Sequence, residues 1–528
     1  MMHIDEDSAE SMRALRSRSN DRVPVSRLPD EILLMIFNHI EEEKRLNGFD
    51  SDDDDIDGIG DAPACLAVTH ACRYWRKVAL ECPTLWTLIR CTPPLWLDVM
   101  LERSQNAPLV VSYSAFSISL LEGCLDKVLL HLPRIKHLEL RVFEIDIGRT
   151  TRTPVMDLLS SQPAPMLEKF KFFLYSTSSL PTTVSTSNTI FQGQAPLLQH
   201  LDGFIGNRIW SSCIFGGIRT LRVATVPPLP DLLSTLRCMP TLEQLMLVSG
   251  LSRSAQLILS NKVPLPRLKS IALSAISLQD AVSILAHLAL PIDVKISLRL
   301  SPITGPRTFA DLFSVMGEHP GESGPVFRSL RVIKPNPNGL AVQFSTSTTI
   351  NSDYSWNPQD DDIRLSIEFY NQNREVYPYT FGEIPRDTTI NICQMIAQRR
   401  PQTFFSGEFE SIQVQGCSDF IEGLTAALRI EGSSNVTYPS LRVLELQDIL
   451  FDDDELSLQD LLDVFIMRAQ HNVTFHDLRL RLCKYFTADR MQLFHEVVVN
   501  DIDCDQYTLE HSEACQTWFQ SFQSLFPY

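Results

Sequence analysis

One short phrase recurs along this chain and limits what it can become. "LPRIKHLEL", "APMLEKFKF", "APLLQHLDG", "MPTLEQLML", "LPRLKSIAL" and "YPSLRVLEL" share a template. A proline is followed by an apolar residue two positions on, another five on, and usually a third seven on. The prolines are Pro133, Pro165, Pro196, Pro240, Pro266 and Pro439. Copies without the proline are "GIRTLRV" from Gly217, "FESIQVQ" from Phe409 and "FHDLRLRL" from Phe475; "VFRSLRVIK" around Leu330 is a broken one. Proline and the restricted residue before it stop a preceding helix and force an extended entry. The last apolar positions then alternate at period two, as in a short strand with one buried face. A strand of about six residues cannot bury that face alone, so the copies are expected to stack in parallel around a shared core, a helix or loop outside each.

Counted from the first apolar position, the copies start at 135, 167, 198, 218, 242 and 268, in steps of 32, 31, 20, 24 and 26. Later ones at 409, 441 and 475 step by 32 and 34. From 280 to 400 the template lapses, although "VKISLRL" from Val294 and "IRLSIEFY" from Ile363 still alternate. "LQDAVSILAHL" from Leu278 and "LQDLLDVFIMRA" from Leu458 read as helices between strands. These spacings resemble an irregular leucine-rich repeat. That family usually places Asn or Cys three residues after the last strand leucine, where it bonds backbone across the turn. Here Phe143, Gly250, Ile276 and Ile449 occupy that place. The resemblance is to a degenerate, longer repeat, and an ordinary α/β domain with proline-led strands is the alternative.

Residues 1–22 read as a disordered tail, poor in apolar side chains. A different unit follows, over residues 23–92. In "LPDEILLMIFNHI", Pro29 suits a first helical turn, and Asp30 and Glu31 place negative charge at the positive end of the helix dipole. Ile32, Leu33, Ile36, Phe37 and Ile40 form a wide apolar stripe, with Leu34 and Met35 beside it. A helix apolar nearly all round must be covered on more than one side. In "APACLAVTHACRYWRKVALECPTLWTLI", Val68, Cys72, Trp75 and Ala79 fall on one helical face, and Arg73, Arg76 and Lys77 on a solvated one. So small a unit buries a low fraction of its surface, and this apolar excess marks an interaction site.

"LPDEILLMIF" followed by "CRYWRKVALECPTLW" is similar to the F-box, a three-helix module that docks on the Skp-family adaptor of a cullin–RING ubiquitin ligase. The resemblance implies an adaptor-facing surface from Leu28, Pro29, Ile32, Leu33, Ile36 and Phe37, with Leu66, Val68, Cys72 and Trp75 from the second segment and Leu85 and Trp86 closing the module. Each position is open between adaptor contact and the module's own core. One departure is an insertion from Glu41 to Asp61, with ten acids and two bases, expected to loop out. Residues 105–528 resemble the irregular leucine-rich region of the large fungal F-box families.

The expected architecture is therefore α/β: an F-box-like three-helix module, then a leucine-rich-repeat-like solenoid of parallel strands. The implied function is a non-catalytic substrate adaptor, holding the Skp-family subunit, and through it a cullin, at the module, and a protein substrate on the array. The alternatives are a scaffold that delivers nothing for ubiquitination, or an enzyme with a site in the 280–400 lapse. A net charge of −18 without a basic run argues against nucleic acid and anionic lipid as partners. Twelve cysteines without a CxxC pair suit reduced thiols, not a zinc site. The N-terminus lacks the apolar core of a secretory signal, and no run of about 18 apolar residues exists to span a membrane. A cytoplasmic or nuclear location is expected. Nucleotide, nucleophile-elbow and metal-protease motifs are absent, so neither cofactor nor metal is expected.

Overall fold

A computed structural model gives the fold. It describes residues 23–49, 64–90, 94–115, 124–144, 155–176, 189–204, 213–224, 226–248, 262–300, 327–336, 339–347, 363–370, 409–430, 438–451, 455–484 and 488–505, with a few isolated positions between. The chain divides into two compact units, residues 1–223 and 224–528. The boundary falls within the stretch read from sequence as one array. No helix among the described residues is long and apolar enough to cross a membrane.

The first unit opens with three helices: α1 (Asp30–Phe49), α2 (Ala64–Ala71) and α3 (Arg73–Leu80). A 3-10 turn, Pro83–Trp86, leads into β1 (Leu88–Arg90). Then come α4 (Pro94–Arg103), β2 (Leu109–Ala115), α5 (Cys124–Leu129), β3 (Ile135–Glu144), α6 (Val155–Ser160), β4 (Lys169–Ser176), β5 (His200–Phe204) and β6 (Thr220–Val223). The six strands pair in sequence order, all parallel. Parallel neighbours need a crossover, and short helices or 3-10 turns occupy it. Register stacks Leu138, Phe170, Leu201 and Leu221 in one buried row.

The second unit holds α7 (Leu229–Arg237), β7 (Gln244–Leu247), β8 (Val263–Pro264), β9 (Ser270–Ile276), α8 (Leu278–Ala286), β10 (Leu288–Ala289), β11 (Lys295–Leu300), β12 (Ser329–Asn336), β13 (Gly339–Ser345), β14 (Ile363–Tyr370), β15 (Ser411–Gln415), α9 (Ser418–Leu428), β16 (Val443–Gln447), α10 (Glu455–Gln470), β17 (Asp477–Arg481), α11 (Ala488–His495) and β18 (Asp501–Cys504). β8 and β10 form a separate parallel pair. The main sheet runs β7-β9-β11-β14-β13-β12-β15-β16-β17-β18. It is parallel except for β13, which is antiparallel to both neighbours. Leu330, Ile412, Leu444, Leu478 and Ile502 line up as one buried row. The molecule is thus an α/β protein with a mostly parallel sheet.

The template's proline has a different job from the helix stop read from sequence. Leu167 N–H donates to Ala164 O at 3.2 Å, and Leu198, Leu242, Leu268 and Leu441 repeat the bond to Ala195, Met239, Leu265 and Tyr438. Each proline is therefore the second residue of a four-residue turn, where its fixed φ fits and its missing N–H is not needed. The next residue then bonds the neighbouring copy: Glu168 N–H to Lys136 O at 2.8 Å, Lys269 to Glu243 at 2.7 Å, Arg442 to Glu410 at 2.9 Å. Side chains along this row pair by charge, with Lys136 3.4 Å from Glu168 and Lys269 2.6 Å from Glu243.

A second turn closes several strands. Ala275, Gly416, Asp448 and Leu482 have positive φ, and Ile276, Cys417, Ile449 and Cys483 behind them are buried. These four lie three residues after Leu273, Val414, Leu446 and Leu480. Two of the weaker copies thus carry the cysteine whose absence was inferred from the stronger ones. Cys483 Sγ donates to Leu446 O of the adjacent strand at 3.3 Å, and burial pushes its thiol pKa up to about 12. It serves as a small structural donor, not a nucleophile.

Three further readings need correction. α1 begins at Asp30, with Pro29 just outside; the Pro29 carbonyl accepts from Leu33 N–H at 3.1 Å. The insertion does not leave the helix at Glu41, since α1 continues to Phe49. "EEEKRL" is rich in helix formers. Residues 50–63 lie outside the described residues, as does nearly all of the expected tail. The second apolar segment is two helices broken at Cys72, whose φ of −156° and ψ of 170° are extended and whose Sγ caps Trp75 N–H at 3.4 Å.

Candidate partner-docking helix

The helical part of the first unit sorts the apolar residues of α1 into two stripes. Leu33 and Phe37, one turn apart, are fully buried. Phe37 lies against Trp75 of α3, ring centroids 5.2 Å apart at 59°. Cys65, Leu66 and Val68 of α2, Val78 and Ala79 of α3, and Leu85 and Trp86 of the closing turn are also buried. Trp86 Nε1 donates to Ala79 O at 3.0 Å, and the Arg103 guanidinium sits 4.4 Å from its ring. Thr69 Oγ1 bonds Leu66 O at 2.7 Å, so a buried hydroxyl is satisfied within its own helix.

The other stripe has no cover. Ile32, Met35, Ile36 and Ile40 are between 38% and 68% exposed. Their spacing of three, one and four residues places them on one helical face, a little over two turns long. Large aliphatic side chains scattered singly on a surface are ordinary; four in register on one helix are not. Covering them would contribute about 1 kcal/mol each at their present exposure. Val23, just upstream, is exposed as well.

Polar contacts fix the mouth of this helix. The Tyr74 hydroxyl lies 2.6 Å from Asp30 Oδ1 and 3.0 Å from Leu28 O, tying α3 to the start of α1. The Asp30 hydrogen bond raises the phenol pKa above its ordinary value. Arg73, Arg76 and Lys77 on α3 are exposed, as their spacing foretold.

The ten residues inferred from sequence therefore separate. Ile32, Ile36 and Pro29 are exposed, and Leu28 is half-buried near Tyr74. Leu33, Phe37, Leu66 and Val68 are core: closed in by α2 and α3, they cannot meet a partner on this face. Cys72 caps a helix, and Trp75 is half-buried against Phe37. Met35 and Ile40 belong to the exposed stripe although the sequence comparison did not assign them to it. The arrangement offers a greasy helical ridge, and no group of three or more His, Cys, Asp or Glu among the described residues is placed to hold a metal. No known family's sequence model matches the chain. No curated protein matches it either.

Proposed function

We propose that this protein is the non-catalytic substrate-recognition adaptor of a cullin–RING ubiquitin ligase, an F-box protein whose α1 ridge docks on a Skp-family subunit and whose strand array holds a protein substrate. The observation that carries the reading is the exposed stripe Ile32, Met35, Ile36 and Ile40, set beside a closed Leu33–Phe37–Trp75 core. It coincides with the residues that resemble the family's first helix. A helix-in-groove mode suits such a stripe. The array reading draws support from the turn before each strand, the left-handed turn after several, and cysteines at 417 and 483 in the repeat's signature place. Such a protein accelerates transfer by holding substrate near the ligase, a matter of effective concentration and not of bond chemistry.

The test is reconstitution. The full chain, mixed with a Skp-family subunit, cullin and RING partner, should enter one complex, and proteins captured by the chain from cell extract should become ubiquitinated there. A complex that forms but modifies none of them would make the chain a scaffold. No complex at all would remove the reading.

A further inference from the structure

The sequence-order pairing of strands breaks at one place in the second unit. After β11 the sheet order runs 14, 13, 12, and only then resumes with β15. This is the 280–400 lapse of the repeat. Insertions into repeat arrays commonly build the binding face, and reversals of strand order are where open sheets hold ligands.

On one face of these strands Leu298, Ile367, Val342, Val332, Val414 and Leu446 form the apolar core row. Period two puts a polar row on the other: Ser297, Ser366, Gln343, Arg331, Gln413 and Glu445 in register across six strands. Several are partnered. Gln413 Nε2 donates to Glu445 Oε1 at 2.9 Å, Arg331 Nη2 to Gln415 Oε1 at 3.3 Å, and Arg299 Nε lies 2.8 Å from Glu368 Oε2. Ser366 and Gln343 are not partnered, and Gln413 is so only through its amide nitrogen. Gln343 and Ser366 are each 3% exposed and Gln413 1%. Both amide atoms of Gln343, the Ser366 hydroxyl and Gln413 Oε1 have no hydrogen-bond partner among the described residues. A polar atom buried in that state costs about 1–3 kcal/mol. Four of them on neighbouring strands form a preorganised surface that the fold keeps at its own expense.

We propose that this face of β14, β13 and β15 recognises an amide group presented by a bound peptide. The orphaned atoms offer donors and acceptors together, which an amide answers and a lone cation or anion does not. The flanking Arg299 and Glu368 pair with one another, and Arg331, between Gln343 and Gln413, is held by Gln415, so the orphaned atoms themselves are uncharged. At 3% exposure, engagement requires neighbouring side chains on this face to shift aside. The proposal deepens the adaptor reading, on which it rests for the peptide's origin in a protein substrate.

Selection of a phage-displayed heptapeptide library on the full chain tests it, run in parallel on Gln343→Leu and Ser366→Ala. The unsubstituted protein should enrich peptides with Asn or Gln at one fixed position. Gln343→Leu should bind them about tenfold more weakly. Enriched peptides with no preferred residue, but the same loss in Gln343→Leu, would assign the amide to the main chain. Removing unpartnered polar atoms should leave the melting temperature of each variant unchanged or higher. A fall in both variants would show the atoms to be satisfied within the fold and overturn the proposal; should only Gln343→Leu fall, Ser366→Ala carries the binding comparison. Enrichment of Asp or Glu, no enrichment, or enrichment indifferent to both substitutions would also overturn it. Skp-family binding by Gln343→Leu should equal that of the unsubstituted chain. If the unsubstituted chain binds no adaptor, the adaptor reading fails while the peptide result still stands.

Discussion

Gly203 shows how tightly one residue can be bound to this architecture. It ends the copy "APLLQHLDG", where the template calls for an apolar side chain, and it pairs with Phe172 in the next strand. Its φ is +146°, and a Cβ there would stand 1.8 Å from the Phe172 carbonyl oxygen. Gly203→Ala should therefore destabilise the first unit by more than about 3 kcal/mol, measured by denaturant unfolding. An unchanged midpoint would mean that the strand pairing differs. A second residue makes stability pH-dependent. Burial, with Lys169 and Lys136 nearby, depresses the His137 pKa from 6.5 to about 4, against the opposing pull of Glu168, 3.7 Å away. The folded chain thus prefers the neutral imidazole. Its contribution is complete above pH 6.5 and is lost as pH falls from there through 4, because the unfolded chain takes up the proton first. His137→Phe should lose less stability between pH 7.5 and 5 than the parent; equal losses would contradict this.

At the scale of elements, α1 carries a buried stripe and an exposed one on different faces. Leu33→Asp should unfold the helical part, since it buries an unpaired charge, at a cost of at least about 3 kcal/mol. Met35→Asp with Ile36→Asp should leave the thermal melt near that of the parent, because both side chains already meet water. Circular dichroism melts of the two variants would show a wide gap, and matched melts would refute the two-stripe assignment. Sequence could show that α1 was apolar on too many sides; it could not show which side was covered, because that depends on where α2 and α3 dock. The same non-local cause hid the break at Cys72. Apolar spacing runs unbroken from Val68 to Ala79, and only the packing of α2 and α3 against α1 rewards the kink. Strands led by a proline turn were readable because the signal is local: β3 begins at the template's first apolar residue, and β4, β5, β7, β9 and β16 two residues after it, once the turn is closed. β18 carries no such proline signal, whereas Pro108 before β2, with Val110, Tyr113 and Ala115, fits the template and was passed over. β13 follows β12 after two residues and pairs with it antiparallel, and the Asn338-Gly339 pair in "PNPNGL" is a local hairpin signal that the repeat template passes over.

For the whole molecule, the two units differ in kind: the first carries an exposed apolar ridge, the second a buried polar row at the reversal of strand order. Under the adaptor proposal, the ridge would meet the ligase subunit and the row the cargo. The most direct measurement is the affinity of the full chain for a purified Skp-family subunit, by calorimetry, beside the Met35→Asp, Ile36→Asp double variant. A standard interface of about 1,600 Å² that buries this stripe does not accept two unpaired carboxylates. The account predicts a saturable one-to-one complex with the parent and at least about a hundredfold weaker binding for the folded variant. Equal affinity for both proteins, or no binding by the parent, would contradict it.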